Sequence, residues 1–496
     1  MRTIVAIGLV GLLGVSGAAH AAAPYYAYVS LKQNIDCSNT SNCTDTLIRI
    51  LNPIQKTVAA ELATTNPIAT LLNTSGSKLV IAKRSVDGNN SVFLDVMDTA
   101  TLKIMPVAQR TSAYCRSAST VAIATIDGLD TAIVPCAEGL TLYPIDKAYP
   151  DGTGTRVVIP SAKTFYYSHA LSVSSDNQWL FGVGVATTST GTSTLGVSAI
   201  KLQDLALAIK ATEAAPTTLD SLVSVGLDPR SATILGDTAA MAVLKDPATA
   251  NKYSIVAASK QDGNQPGKAY LVQLHTSAAT ATPTLTKQLN IKLYNNGTDD
   301  LTLVDPRAIT IFPSNFSVYI VDYGNANTGP DTPYRNGTLS RFEISQTTSG
   351  IYNTSVVSTN LAQDVPGRAT KEGYAEVHPV NLGVSPDGGV LYLLETQWNR
   401  KSPPYSGTYL RRYALDRNNG LVLPSEFLAV NQANANASGT LIGPECDNCY
   451  LPPRVATPKS RNRPAAVTTT DIALLLTMLG IVAYGRRRAL RVTRRD

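Results

Sequence analysis

Hydrophobic and polar positions repeat along the chain as one unit, two short apolar runs flanking a polar turn. Its plainest copy is HPVNLGVSPDGGVLYLL, residues 378–394. There Ser385-Pro386-Asp387-Gly388 makes the turn: Pro presets φ, Asp caps with its side chain, and Gly takes the position with φ > 0. Such a unit predicts a β-hairpin. Residues 71–76 lead into 78–81 in the same way, 124–128 into 131–134, 171–177 into 179–181, 232–237 into 241–244, and 309–315 into 318–321. The turn positions Gly76, Gly128, Asn177, Thr238, Asn315 and Gly388 stand 52, 49, 61, 77 and 73 residues apart. A hairpin at this period, with two more strands between copies, predicts an all-β β-propeller. Seven blades of four antiparallel strands fit the pattern best. Six or eight are the alternatives, because insertions in blades five and six blur the period.

The propeller is placed at residues 24–442. Residues 25–62 read as three strands, with the innermost strand of that sheet expected from around 440–442. The later blades are 67–109, 113–160, 165–212, about 219–290, about 300–360 and about 374–430. The chain has 496 residues, 44% of them apolar and 16% charged, enough for a large core. Thr, Val, Ile, Leu and Tyr dominate, 34 Gly and 28 Pro punctuate the chain, and helix signals are sparse.

The two ends carry different signals. Arg2, the apolar run 4–15 and Ala19-His20-Ala21 form a secretory signal peptide, residues 1–21. Residues 443–464, with CDNC and Pro452-Pro453, read as a linker or stalk. Residues 465–484 are long enough for a membrane span at the cost of Asp471, and Arg486-Arg487-Arg488 behind them holds that end in the cytoplasm. The expectation is an exported body, in the periplasm or at the cell surface, anchored by a transmembrane tail, 465–496, that is open to processing. The net charge of +6 comes from these ends: the body, 24–453, keeps 31 basic against 34 acidic residues. No nucleic-acid face is expected.

Six cysteines fall into close pairs, Cys37 with Cys43, Cys115 with Cys136, and Cys446 with Cys449. An even number in an exported chain predicts structural disulfides.

Candidate chemistry gathers at one edge of the blades. His169, Arg230 and Arg307 each stand seven positions before a hairpin turn, two of them in the tripeptides Asp228-Pro229-Arg230 and Asp305-Pro306-Arg307. Antiparallel order puts the loops before innermost strands on the same face as the loops between second and third strands. Those loops carry Tyr323, Tyr334, Trp398 and Tyr405. One face thus collects cations at its centre and aromatics at its rim. Two readings stand: a site for an anionic or carbohydrate-like ligand or a protein segment, or Arg–Asp pairs that lock neighbouring blades. His378 with Glu376 reads as structural, with no third metal ligand in view. The stretch from Asp322 to Asp331 alternates oxygen ligands as Ca²⁺ loops do, without the EF-hand spacing or its closing Glu. No cofactor is expected, Ca²⁺ at that loop being the alternative. No G-x-S-x-G elbow is present, which argues against Ser/His hydrolysis.

Two resemblances follow. Asp98-Thr99-Ala100-Thr101-Leu102 after Phe-Leu-Asp-Val, and SPDGGVLYL in blade seven, resemble YVTN and lactonase-type β-propeller repeats. That resemblance implies the propeller fold, and it implies Arg and His before innermost strands, here Arg230, Arg307 and His169. The tail resembles bacterial tripartite sorting tails, and residues 466–471 are similar to the motif of the JDVT type. The expected function is an envelope-tethered binding propeller with an envelope protein or a small anionic or carbohydrate ligand as partner. The alternative is a lactonase-like hydrolase at the central channel mouth.

Overall fold

The second arm of each predicted hairpin is a continuous apolar run, and a strand of that kind needs cover on both faces. In the computed structural model these runs lie inside seven antiparallel sheets, and the architecture is a β-propeller. The structure describes strands and tight turns between residues 26 and 432. Residues 1–25 and 433–496 lie outside the described set, as do several loops, among them 33–44, 111–119, 146–154, 159–169, 231–238, 325–336 and 359–374. The signal peptide, stalk, tail and the 440–442 strand fall there, with Cys37, Cys43, Cys115, Cys446 and Cys449.

The first sheet has three strands, Ala27–Lys32, Asp45–Asn52 and Thr57–Thr65. The second has Pro67–Leu72, Lys78–Arg84 and Val92–Asp98, with its outer strand split into Lys103–Ile104 and Gln109–Arg110. The third holds Ala122–Ile126, Leu129–Cys136, Gly139–Pro144 and Thr155–Val158. The fourth holds Ala170–Val173, Trp179–Thr187, Ser193–Lys201 and Val223–Arg230. The fifth is Ala239–Lys245, Lys252–Ser259, Lys268–His275 and Thr284–Ile291. The sixth is Pro306–Phe312, Ser317–Asp322, Thr338–Glu343 and Thr354–Ser358. The seventh is Ala375–Val384, Val390–Asn399, Tyr405–Leu415 and Val422–Gln432.

The core is a series of apolar layers between consecutive sheets, and strand alternation builds it. In the strand Lys252–Ser259, Tyr253, Ile255 and Ala257 pack toward the fourth sheet, while Val256 and Ala258 pack toward the sixth. In Lys78–Arg84, Leu79 and Ile81 face the first sheet and Val80 and Ala82 the third. The outward faces of the first and last sheets are buried too: Ala27 and Leu51 on one, Leu394 and Tyr392 on the other, each at most 1% exposed.

The hairpin turns follow local chemistry. Asp127 and Gly128 both have positive φ, 51° and 77°, as a two-residue turn of the I′ type requires. At three other turns a short polar side chain opens the loop and accepts the amide five residues on. Asn73 Oδ1 takes Lys78 N, Ser174 Oγ takes Trp179 N, and Ser385 Oγ takes Val390 N, at 2.9–3.0 Å. The same turn edge ties sheet to sheet. Asn73 Nδ2 donates to Asp130 Oδ2 at 2.7 Å, joining sheets two and three. Asn177 accepts from the Thr125 amide and donates to its carbonyl, joining three and four. Asp176 accepts from Tyr253 Oη at 2.7 Å and pairs with Lys245 Nζ at 2.9 Å, joining four and five. Burial pushes the Asp176 carboxyl up, but hydrogen bonds from Ser174, Lys245 and Tyr253 outweigh it and hold it below the usual carboxylate range.

Two elements depart from the expected blades. A helix, Leu202–Lys210, follows the third strand of the fourth sheet and buries Leu202 and Leu205 in the layer between sheets three and four. It displaces that sheet's outer strand to Val223–Arg230, a stretch expected to open blade five. The fifth sheet accordingly begins at Ala239, and 241–244 lies in its innermost strand rather than its second. Cys136, 7% exposed and 3.0 Å from Thr141 Oγ1, is not a free thiol.

Candidate functional site

Opposite the turn edge lies the edge where innermost strands begin and second strands end. Among the described residues a polar assembly stands there on sheets six and seven. The innermost strand of the sixth sheet opens with Pro306, which has no N–H to place in a ladder. Pro306 pairs with Asp322 and Ala308 with Val321, so Arg307 is the extra residue of a β-bulge. Bulges re-aim side chains, and this one lays the Arg307 guanidinium 4.7 Å from the centre of the Tyr323 ring. Pro379 sets a matching irregularity in the seventh sheet.

Tyr323 lies between two partners. On one side is Arg307; on the other the His378 ring stacks at 4.4 Å and 21°. His378 is fully buried, and its Nδ1 lies 2.7 Å from the Tyr323 carbonyl oxygen. A carbonyl only accepts, so Nδ1 carries the proton and donates. His378 thereby fixes both ring and backbone of Tyr323 from the neighbouring sheet. Gly337 closes the same junction: a Cβ there would collide with Pro379 and the Asp322 carbonyl.

The carboxylates beneath are engaged. Asp322 accepts the amides of Asp305 at 2.6 Å, Val304 at 2.9 Å and Gly324 at 3.3 Å. Tyr323 N donates to the Asp305 carbonyl at 2.9 Å, so the Asp305 backbone is clamped twice. Asp305 Oδ2 pairs with Arg307 Nη2 at 2.6 Å, the side chains being 6% and 20% exposed. Among the described residues, the buried Arg307 Nε has no hydrogen-bond acceptor. In the seventh sheet, Arg411 and Glu395, both fully buried, pair at 2.8 Å, and Arg411 Nη1 donates to Tyr413 Oη at 3.1 Å. Burial pushes the Arg411 pKa down, but the Glu395 charge and the Tyr413 contact outweigh this and leave it raised.

Of the expected site residues, the structure describes Arg307 and brings it to Tyr323 and His378. Arg230 ends the outermost strand of the fourth sheet, opposite Ser193, so it does not share Arg307's innermost position; its side chain is outside the described set, as is that of Trp398. His169 and Tyr334 lie outside the described residues altogether. His378 was read from sequence as structural beside Glu376, and its link to Tyr323 had no local signal. Among the described residues no group of three His, Cys, Asp or Glu is placed to hold a metal ion, and no helix is long and apolar enough to cross a membrane.

Comparison with known families and with curated proteins finds no match. Solved structures that the chain is similar to include hydrazine synthase of Kuenenia stuttgartiensis, at 14% identity over 71% of this chain and 90% of that one, TM-score 0.44. A putative 6-phosphogluconolactonase from Bacteroides uniformis aligns at 12% identity over 82% and 99%, TM-score 0.45. AztD from Citrobacter koseri, in its apo form, aligns at 9% identity over 83% and 99%, TM-score 0.38. The assignment of the fold rests on the sheet order and register described above.

Proposed function

We propose that the chain is an exported, envelope-tethered β-propeller binding protein whose loop-rich edge receives an anionic ligand or an anionic segment of an envelope protein. The observation that carries this reading is Arg307. A bulge aims it, a fixed aromatic ring supports it, a fifth of its side chain stays exposed, and its buried Nε has no acceptor among the described residues. A side chain serving only as an inter-sheet lock would engage the neighbouring sheet, whereas the partner of Arg307 lies two residues away, in the segment that leads into its own strand. The nearby carboxylates are committed to backbone amides and to Arg307, which favours binding over a lactonase-like hydrolysis at the same mouth. Export by residues 1–21, anchoring by 465–496 and disulfide bonding of the three cysteine pairs, Cys115 with Cys136 among them, complete the proposal.

The test is binding of carboxylated peptides and of anionic and neutral oligosaccharides to the purified protein at low and high salt. A ligand whose affinity falls as salt rises and disappears in Arg307→Ala supports the reading. Ligands that bind the Arg307→Ala protein as well as the parent overturn it.

A further inference from the structure

Aromatic rings on a loop-rich rim suit sugars when one face stays open, because the C–H groups of a sugar ring pack flat against it. Tyr323 offers no such face. The Arg307 guanidinium lies 4.7 Å from the ring centre on one side, and the His378 ring stacks at 4.4 Å and 21° on the other. Tyr323 itself is part-buried, whereas His378 is fully enclosed. His378 Nδ1–H donates to the Tyr323 carbonyl oxygen at 2.7 Å, so one side chain of sheet seven grips both the ring and the backbone of Tyr323. Gly337 lets the two sheets close at this point, since a Cβ there would meet Pro379 and the Asp322 carbonyl. A guanidinium held over a fixed ring keeps its place and its charge. The outer member of the stack is therefore Arg307, whose side chain is 20% exposed. A guanidinium carries five N–H donors, so pairing with Asp305 does not exhaust it.

We infer that His378 is a positioning residue for anion recognition: through Tyr323 it holds the Arg307 guanidinium where an oxyanion meets it, and by taking the second face of the ring it denies that face to a neutral sugar. The ligand class is an oxyanion, carboxylate or phosphate, met by N–H donors rather than by stacking. This rests on the reading of Arg307 as the ligand-binding group and adds the residues that set its affinity. His378 is fully buried, so it acts through Tyr323 and not by touching the ligand. Ordering a long side chain on binding costs affinity, and a guanidinium already held in place avoids that cost. Loosening the stack should weaken capture about three- to tenfold. The salt dependence should not change, because Arg307 keeps its charge.

The experiment uses the full-length protein labelled with ¹⁵N-arginine, titrated at low and at high salt with acetate, inorganic phosphate and the neutral disaccharide maltose. The first two arms separate carboxylate from phosphate recognition. The Arg307 Nε–H resonance is assigned by its loss in Arg307→Lys. In the parent, the Tyr323 ring current should displace it from its position in Tyr323→Leu, and an anion should shift it further while maltose does not. Tyr323→Leu and His378→Leu should each weaken anion binding about three- to tenfold with the parent's salt dependence. His378→Phe, which returns a ring to the stack, should recover part of both the affinity and the displacement. An Nε–H resonance that stays put in His378→Leu, or anion affinity unchanged there, overturns the positioning role. Maltose binding that disappears in Tyr323→Leu overturns the ligand class. Should the His378 variants fail to fold, Tyr323→Leu decides, because unchanged anion affinity in it refutes the holding of Arg307 by the stack. If neither anion binds the parent, or both bind Arg307→Ala equally well, the underlying reading of Arg307 fails. That outcome differs from anion binding that needs Arg307 and ignores the stack, which overturns only the present inference.

Discussion

The turn edge of sheets two to five and the opposite edge of sheets six and seven use polar side chains differently. At the turn edge of sheets two to five, Asn73, Asn177 and Asp176 each reach a neighbouring sheet, and Asp176 answers two donors from the fifth sheet. At the opposite edge of sheets six and seven, Arg307 pairs with Asp305 just before its own strand, has a buried Nε with no acceptor among the described residues, and remains partly exposed. The turn edge is made of short loops whose polar groups bind one sheet to the next. The other edge is made of bulges, a stacked ring and long loops. The inter-sheet ties of Asn73, Asn177 and Asp176 thus differ from the local pairing of Arg307, while at the second edge His378 ties sheet seven to sheet six, and substitutions at Asp176 and Arg307 should fail differently.

The largest effect should come from beneath the loop-rich edge. Glu395→Ala leaves Arg411 charged and enclosed, and should cost roughly 3–5 kcal/mol in chemical denaturation. Replacing both by apolar residues of similar size should recover most of that loss. A negligible cost for the single change would mean water reaches the pair.

Next comes the turn edge. Asp176→Ala removes the acceptor of Tyr253 Oη and the partner of Lys245, and should cost about 1–3 kcal/mol. The sign of its pH dependence is fixed, because a carboxyl held below its usual range stabilises the fold above that range and loses the contribution as pH falls through the folded value. Parent and variant should therefore converge in stability on acidification below about pH 4. A difference that persists at lower pH would remove the charge from the explanation.

A smaller effect separates hydrogen bonding from backbone shape. Asn177 has φ 55° and two hydrogen bonds to Thr125. Asn177→Gly keeps the conformation and loses the bonds, at roughly 1 kcal/mol. Asn177→Ala adds the left-handed penalty, a further 1–2 kcal/mol or so. Equal melting temperatures for the two variants would show that the turn relaxes.

Much of the fold was legible because its determinants are local. Turn residues such as Asp127-Gly128 and Ser385 act within five positions, and doubly buried strands read as unbroken apolar runs. The fourth and fifth sheets were less legible. Leu202, Leu205 and Ala206 carry a helical spacing with Asp204 in the first turn, a signal overridden by the strand-rich surroundings. Missing that helix moved the blade boundary and gave Arg230 the register of Arg307 through a shared Asp-Pro-Arg. The tripeptide is the same, but one copy ends an outermost strand and the other opens an innermost one. Of the site, Arg307 and Tyr323 were placed on the right edge by strand order alone. His378 was not, since its contact with Tyr323 spans 55 residues and depends on two sheets meeting.

The most direct test of the contrast between Asp176 and Arg307 is the unfolding free energy of Arg307→Ala measured beside that of Asp176→Ala under the same conditions. Arg307 pairs with Asp305 just before its own strand and is a fifth exposed, so its loss should cost about 1 kcal/mol or less, clearly below the cost at Asp176. An Arg307→Ala loss of roughly 3–5 kcal/mol, the cost of stranding a buried charge, would make Arg307 a structural lock and contradict the account.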